Sequence, residues 1–153
     1  MRLFLRLILP VGLAIFVLDR LSKVWVVDVL DLPNRLAIDV VPPFLNFRMA
    51  WNTGINFGLG GGGPEEMRWL LIGLSVVISA ALLWWVLKRD DRVLGWGAGA
   101  VIGGALGNAW DRIQWGAVAD FLNMSCCGIN NPFSFNIADI AIFMGAIWIA
   151  WKA

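Results

Sequence analysis

The sequence predicts a mostly α membrane protein, with four transmembrane helices and a small extramembrane part. Three observations predict it. Of 153 residues, 59% are apolar and 15% charged, and mean hydropathy is +0.75. Soluble domains are about half apolar and about a quarter charged. Four apolar blocks run at or near the length of a span, roughly 20 residues. Lys and Arg crowd into short segments, the asymmetry that orients membrane helices. The length fits a single integral membrane domain. The composition also excludes chemistry. Formal net charge is +1, so no basic field exists to hold nucleic acid. His is absent, which removes Ser-His-Asp and Cys-His triads and every His metal site. No metal and no cofactor is expected.

The first span is expected at residues 7–27, interrupted by Asp19, Arg20 and Lys23. Arg2 and Arg6 precede it as in a signal peptide, but no small-residue cleavage site follows, so the helix is read as retained. Pro10 falls in its first turn, where a missing N–H costs little. The second span, 69–87, carries no charge and is the clearest. The third, 93–110, is rich in Gly and Ala. The fourth, 137–151, is short against a hydrocarbon layer roughly 30 Å thick. It must thin the bilayer, pack on its neighbours or begin earlier.

Arg2, Arg6, Lys88, Arg89, Arg92 and Lys152 lie in the short segments. The long segments 28–68 and 112–136 hold only Arg35, Arg48, Arg68 and Arg112. Both termini are therefore expected in the cytoplasm and both long segments outside. In the first of these, residues 35–40 and 44–49 alternate apolar and polar around Pro42-Pro43, which reads as two short strands. Their apolar faces could rest on lipid headgroups or on helix ends. The stretch from Trp51 to Gly63 reads as a hinge beside a short ordered piece, or as a flexible linker.

In the third span Gly95, Gly99, Gly103 and Gly107 recur every four residues, a packing stripe. Gly104, Asn108 and Arg112 share a neighbouring face and lead a small residue, an amide and a cation toward the outer side. Ionisable groups inside a membrane are functional candidates. Asp19 precedes Lys23 by four residues, and an anchoring ion pair is the plainer reading. Asp111 beside Arg112 reads as a local surface charge. Asp120 and Asp139 differ, since each stands among apolar residues with no cation near in sequence. The plainer reading of Asp139 is a helix cap. That of Asp120 is a strand end, or an acceptor for a turn. If the two converge where the dielectric is low, they cannot both ionise easily and would share a proton. One carboxylate could then activate water while the other protonates a carbonyl. Cys126 and Cys127 are adjacent, a spacing at which disulfides are strained and uncommon, so a structural role is read for them. A small transporter or proton channel, or a non-enzymatic scaffold, would also fit an apolar bundle with buried acids.

Five segments then appear in order: Asp19-Arg20-Leu21-Ser22-Lys23, residues 51–58 (WNTGINFG), residues 103–112 (GGALGNAWDR), Val118-Ala119-Asp120-Phe121 and Phe135-Asn136-Ile137-Ala138-Asp139. Together they resemble bacterial lipoprotein signal peptidases, the signal peptidase II family. The resemblance implies an inner-membrane aspartic endopeptidase. Its substrates would be diacylglyceryl-modified prolipoproteins, cut on the amino side of the lipidated cysteine. It implies Asp120 and Asp139 as the catalytic pair, with Asn108, Arg112, Asn136 and Ala138 around them and Gly104 below. Asn52 and Gly54 would line the site from the outer segment, and Asp19 and Lys23 would support it. The resemblance also implies a small extramembrane β-platform, a short periplasmic helix over the site, contact with membrane lipid and a monomer. Ala119 stands where Val is more usual in the family.

Overall fold

The computed structural model describes residues 2–54 and 63–152. The first apolar block forms α1, Leu9–Val24, extended by wider π-type turns at Phe4–Ile8 and Trp25–Val29. Helical structure therefore starts before Pro10, which marks the change from π to α pairing. A short turn, α2 (Leu32–Arg35), leads into β1 (Ala37–Val41) and β2 (Leu45–Asn52). Next come α3 (Pro64–Arg89), α4 (Arg92–Trp115), β3 (Val118–Met124) and α5 (Ile137–Lys152). All four expected helices are present, and the first three run beyond the expected bounds. The fourth begins at Ile137 as drawn, with 16 residues. Among the described residues, one helix, Glu65–Arg89, passes on length and composition as a membrane crossing, with hydropathy 2.5. The hinge or linker read between Trp51 and Gly63 falls mostly on residues 55–62, outside the described residues.

Helix α4 sits at the centre of the bundle, and its small residues explain how. A Cβ added to Gly95 would meet Leu7 at 3.0 Å, and one on Gly99 would meet the Ile8 carbonyl at 3.0 Å. Gly103 lies against the Gly12 backbone, and Gly107 faces Asp19. The four-residue stripe is therefore the contact with α1, as its spacing predicts. A second face meets α5. A Cβ on Gly104 would come within 2.5 Å of the Ala138 carbonyl, and one on Gly145 within 2.7 Å of the Gly97 carbonyl. With no side chain between them, the α4 and α5 backbones bring residues 108 and 139 into reach.

The sheet has order β1-β2-β3, antiparallel throughout. The first two strands match the alternation in the sequence, displaced by one to three residues. The third strand was not expected as such, and Asp120 lies inside it rather than at its end. One face of the sheet packs on the end of α1 and on α2 through Val26, Leu32, Phe47 and Phe121. Phe47 stacks edge-on against Trp25 at 6.1 Å and Phe121 at 5.6 Å. Helix ends, rather than lipid, therefore cover that face. On the rim Val41, Phe44 and Met124 stay exposed.

Candidate active site

Three elements deliver the two acids. Ala50 pairs with Asp120 across the β2–β3 ladder, and Asn52 pairs with Val118. Asn52 is thus a diagonal neighbour of Asp120, and its Nδ2 donates to Asp120 Oδ2 at 3.1 Å. The other edge of β3 takes Phe135, whose N–H donates to the Leu122 carbonyl at 3.0 Å. That pairing sets the next residue, Asn136, beside Asp120 just before α5 begins.

Asn136 is fully buried and joins the two acids. Its Nδ2 donates to Asp120 Oδ1 at 2.6 Å and to Asn108 Oδ1 at 3.2 Å. Its Oδ1 accepts from the Asp139 N–H at 2.8 Å, while Asp139 Oδ2 accepts from the Asn136 N–H at 3.2 Å. This reciprocal pair is a capping box at the start of α5. The cap read for Asp139 is therefore present, and it orients the carboxylate. Asp139 Oδ1 accepts from Asn108 Nδ2 at 2.9 Å.

The two acids differ in surroundings. Asp120 is only 4% exposed, whereas Asp139 is half-buried. Burial pushes the Asp120 carboxyl up from 3.8 to about 6, and the nearby charge of Asp139 pushes the same way. Hydrogen bonds from Asn52 and Asn136, and the charge of Lys23, oppose the rise. Asp120 is thus the more deeply buried of the two, with its carboxyl held above the ordinary carboxylate range, and Asp139 is the more open to water.

A buried charge cluster lies under the pair. Lys23 Nζ donates to Asp19 Oδ2 at 2.7 Å, to Asp111 Oδ2 at 2.7 Å and to Asn108 Oδ1 at 3.1 Å. The anchoring ion pair read for Asp19 and Lys23 is formed, with both side chains fully buried. Asp19 Oδ1 also accepts from the Ala138 N–H at 3.0 Å, which ties α1 to the start of α5. The reading of Asp111 as a surface charge is corrected, because its side chain has no exposure. Helix α4 continues to Trp115, so Asp111 is still helical and faces α1, where Lys23 and Arg20 neutralise it. Its Oδ2 accepts from the Ala119 N–H at 3.2 Å, next to Asp120. The signal was in the sequence, as an acid nine residues before Asp120 on a helix with a Gly stripe.

Arg112 Nη1 donates to the Asn108 carbonyl at 3.3 Å, and its buried Nε has no partner among the described residues. Gly54 has φ +103, and a Cβ there would meet Leu71 at 2.5 Å. Its N–H donates to Asn52 Oδ1 at 3.0 Å, which holds the Asn52 amide toward Asp120. Gly104 makes backbone packing rather than a polar contact. Cys126 and Cys127, read for a structural role at a spacing where disulfides are uncommon, are joined in a disulfide in the loop after β3. Among the described residues no group of His, Cys, Asp and Glu is arranged to hold a metal.

A bundle carrying two linked carboxylates at one end, with no His in the chain, has the frame of an aspartic peptidase of the membrane. Comparison with known proteins agrees. The signal peptidase (SPase) II family profile matches residues 11–153. A lipoprotein signal peptidase of Methylobacterium sp. (strain 4-46) is 38% identical over 137 residues, 90% of this chain and 82% of that protein. One from Rhodopseudomonas palustris (strain ATCC BAA-98 / CGA009) is 37% identical, over 88% of this chain and 83% of its own. A bacterial membrane enzyme solved by the in meso method at 1.9 Å has the same fold, with TM-score 0.80 and 24% identity over 95% of this chain and 90% of that one. The chain belongs to the signal peptidase II family and is an aspartic peptidase.

Proposed function

We propose that this enzyme removes the signal peptide from diacylglyceryl-modified prolipoproteins, cutting on the amino side of the lipidated cysteine. The relatives' activity supports removal of a lipoprotein signal peptide. One observation carries the catalytic assignment: a single buried amide, Asn136, bonds Asp120 with its nitrogen and the Asp139 N–H with its oxygen. The difference in burial sorts the roles. Asp139 takes a proton from water, and the hydroxide adds to the scissile carbonyl carbon. Asp120 gives its proton to the carbonyl oxygen. As the tetrahedral intermediate collapses, the C–N bond breaks, the proton held by Asp139 passes to the leaving nitrogen, and a hydroxyl of the intermediate returns a proton to Asp120 as the C=O bond re-forms. The pair ends with its original proton count. Asn52, Asn108, Asn136 and Arg112 hold the carboxylates or the substrate around that point, with Gly54 and Ala138 supplying backbone. No metal or cofactor takes part.

We read four crossings: the helix through α1, then α3, α4 and α5. Large apolar side chains are exposed on each, including Leu13 at 57%, Val77 at 65%, Trp96 at 55% and Phe143 at 66%, which suits a lipid surrounding. Arg2, Arg6 and Arg92 lie together at the end of the bundle opposite Asp120 and Asp139. By the positive-inside rule that end is cytoplasmic and the site is periplasmic, in a bacterial inner membrane. The enzyme works as a monomer on a substrate held by the bilayer.

The test is incubation of purified protein with a diacylated prolipoprotein, with wild type beside Asp120→Asn and Asp139→Asn. Both variants should give the wild-type helical circular dichroism spectrum and no cleavage. Full activity in either one overturns the assignment.

A further inference from the structure

Arg20 lies outside the residues that surround the carboxylate pair, yet two separate chains of contact run from it to Asp120. In the first, Arg20 Nη1 pairs with Asp111 Oδ1, the far oxygen of the carboxylate that accepts from Lys23 and from the Ala119 N–H. Ala119 precedes Asp120, so the pair fixes the backbone that carries the acid. In the second, the Arg20 guanidinium lies 4.8 Å from the Trp115 ring centre, and Trp115 packs edge-on against Trp51 at 5.6 Å. Trp51 precedes Asn52, the donor to Asp120 Oδ2. One planar cation thus braces both flanks of one carboxylate. Such a group suits Arg, which pairs and stacks at once.

We propose that Arg20 is a positioning residue for the peptidase reaction, holding Asp120 in register with Asp139 through Asp111 and through the Trp115–Trp51 stack. Charge gives a second reason. Arg20 and Lys23 offset Asp19 and Asp111, so the cluster is neutral with Arg20 in place. Without Arg20 the cluster carries a net negative charge in a buried site, and Lys23 is drawn toward Asp111. Lys23 also donates to Asn108, the donor to Asp139. Losing Arg20 therefore disturbs the supports of both acids.

The inference rests on the Asp120–Asp139 reading, and the experiment separates the two. Purified Arg20→Gln, Arg20→Lys, Trp115→Leu and Asp139→Asn are assayed with a diacylated prolipoprotein, with rates normalised to the monodisperse fraction. Arg20→Gln should lower kcat by tenfold or more with KM within twofold of wild type. Arg20→Lys keeps the charge but not the planar stack on Trp115, and should recover only part of that loss. Trp115→Leu should lower kcat a few-fold with KM unchanged. A purely structural role would reduce the folded yield and leave kcat per folded molecule unchanged. Wild-type kcat in Arg20→Gln overturns the inference. If Arg20→Gln does not fold, wild-type kcat in both Arg20→Lys and Trp115→Leu overturns it instead. Cleavage by Asp139→Asn would reject the dyad reading, whatever Arg20 does.

Discussion

Asn136 donates to Asp120 at 2.6 Å from a side chain with no solvent exposure. The same amide caps α5 through the Asp139 N–H. Helix capping and alignment of the acids are therefore one structural event. Asn136→Ala should lose about 1 kcal/mol for the cap. It should also lower kcat by about a hundredfold, the scale of a misplaced reacting group. Thermal unfolding in detergent and steady-state kinetics on the same preparation check both numbers. A normal kcat with lowered stability would leave Asn136 as a cap only.

The pH profile follows from Asp120, whose carboxyl is raised to about 6. In the proposed mechanism it acts as the acid, so kcat/KM should fall as pH rises through about 6. Asn52 donates to the ionised form, so Asn52→Ala should move that limb to higher pH. A limb that stays in place or moves down would contradict the assignment of the proton.

The same group makes stability depend on pH. Folded Asp120 binds its proton more tightly than the unfolded chain does. The stabilisation is fully present below about 3.8 and is lost as pH rises through about 6. Apparent Tm should therefore fall across that window. Asp120→Asn does not titrate, so the fall should be smaller in that variant. An equal slope in both proteins would remove Asp120 as the cause.

Lys23 holds two carboxylates that have no exposure. Lys23→Met leaves both without their shared cation, a loss of about 3–5 kcal/mol. Adding Asp19→Asn and Asp111→Asn should recover part of it, because neither buried carboxylate is then left ionised without Lys23, and the one remaining charge, Arg20, is partly exposed. Tm in detergent for the single and triple variants decides. No recovery in the triple variant would mean that packing of the Lys stem, not charge balance, is what matters.

Two glycines give a contrast in packing. A Cβ on Gly104 would come within 2.5 Å of the Ala138 carbonyl, whereas one on Gly73 meets nothing within 4 Å. Gly104→Val should push α5 away, lower Tm and abolish cleavage. Gly73→Val should leave both nearly unchanged. Equal effects would show that the α4–α5 backbone contact does not set the site.

Much was legible in residue order. Apolar runs gave the four helices, because a long apolar segment has no polar side chains to compete for its backbone and pairs its own N–H and C=O groups. The Gly stripe gave the α4 contact with α1, because only a missing side chain lets backbones approach so closely. Alternation gave β1 and β2. Asp120 and Asp139 stood out because an acid among apolar residues needs a reason. Asp111 and β3 were less legible. Beside Arg112, Asp111 looks like a local pair, and only the turn of α4 toward Lys23 and Arg20 shows it buried. The residues around β3 alternate poorly, because most of that strand is buried on both faces.

Sequence by itself determined the helices, the absence of His chemistry, and which carboxylates lacked a local partner. These depend on composition and on neighbours along the chain. Tertiary structure alone decided that Phe135 pairs with β3, that Asn136 joins Asp120 to Asp139, and that burial raises the Asp120 carboxyl. Those facts depend on contacts between groups far apart in the chain and on how much water reaches each of them. Neither can be read from residue order.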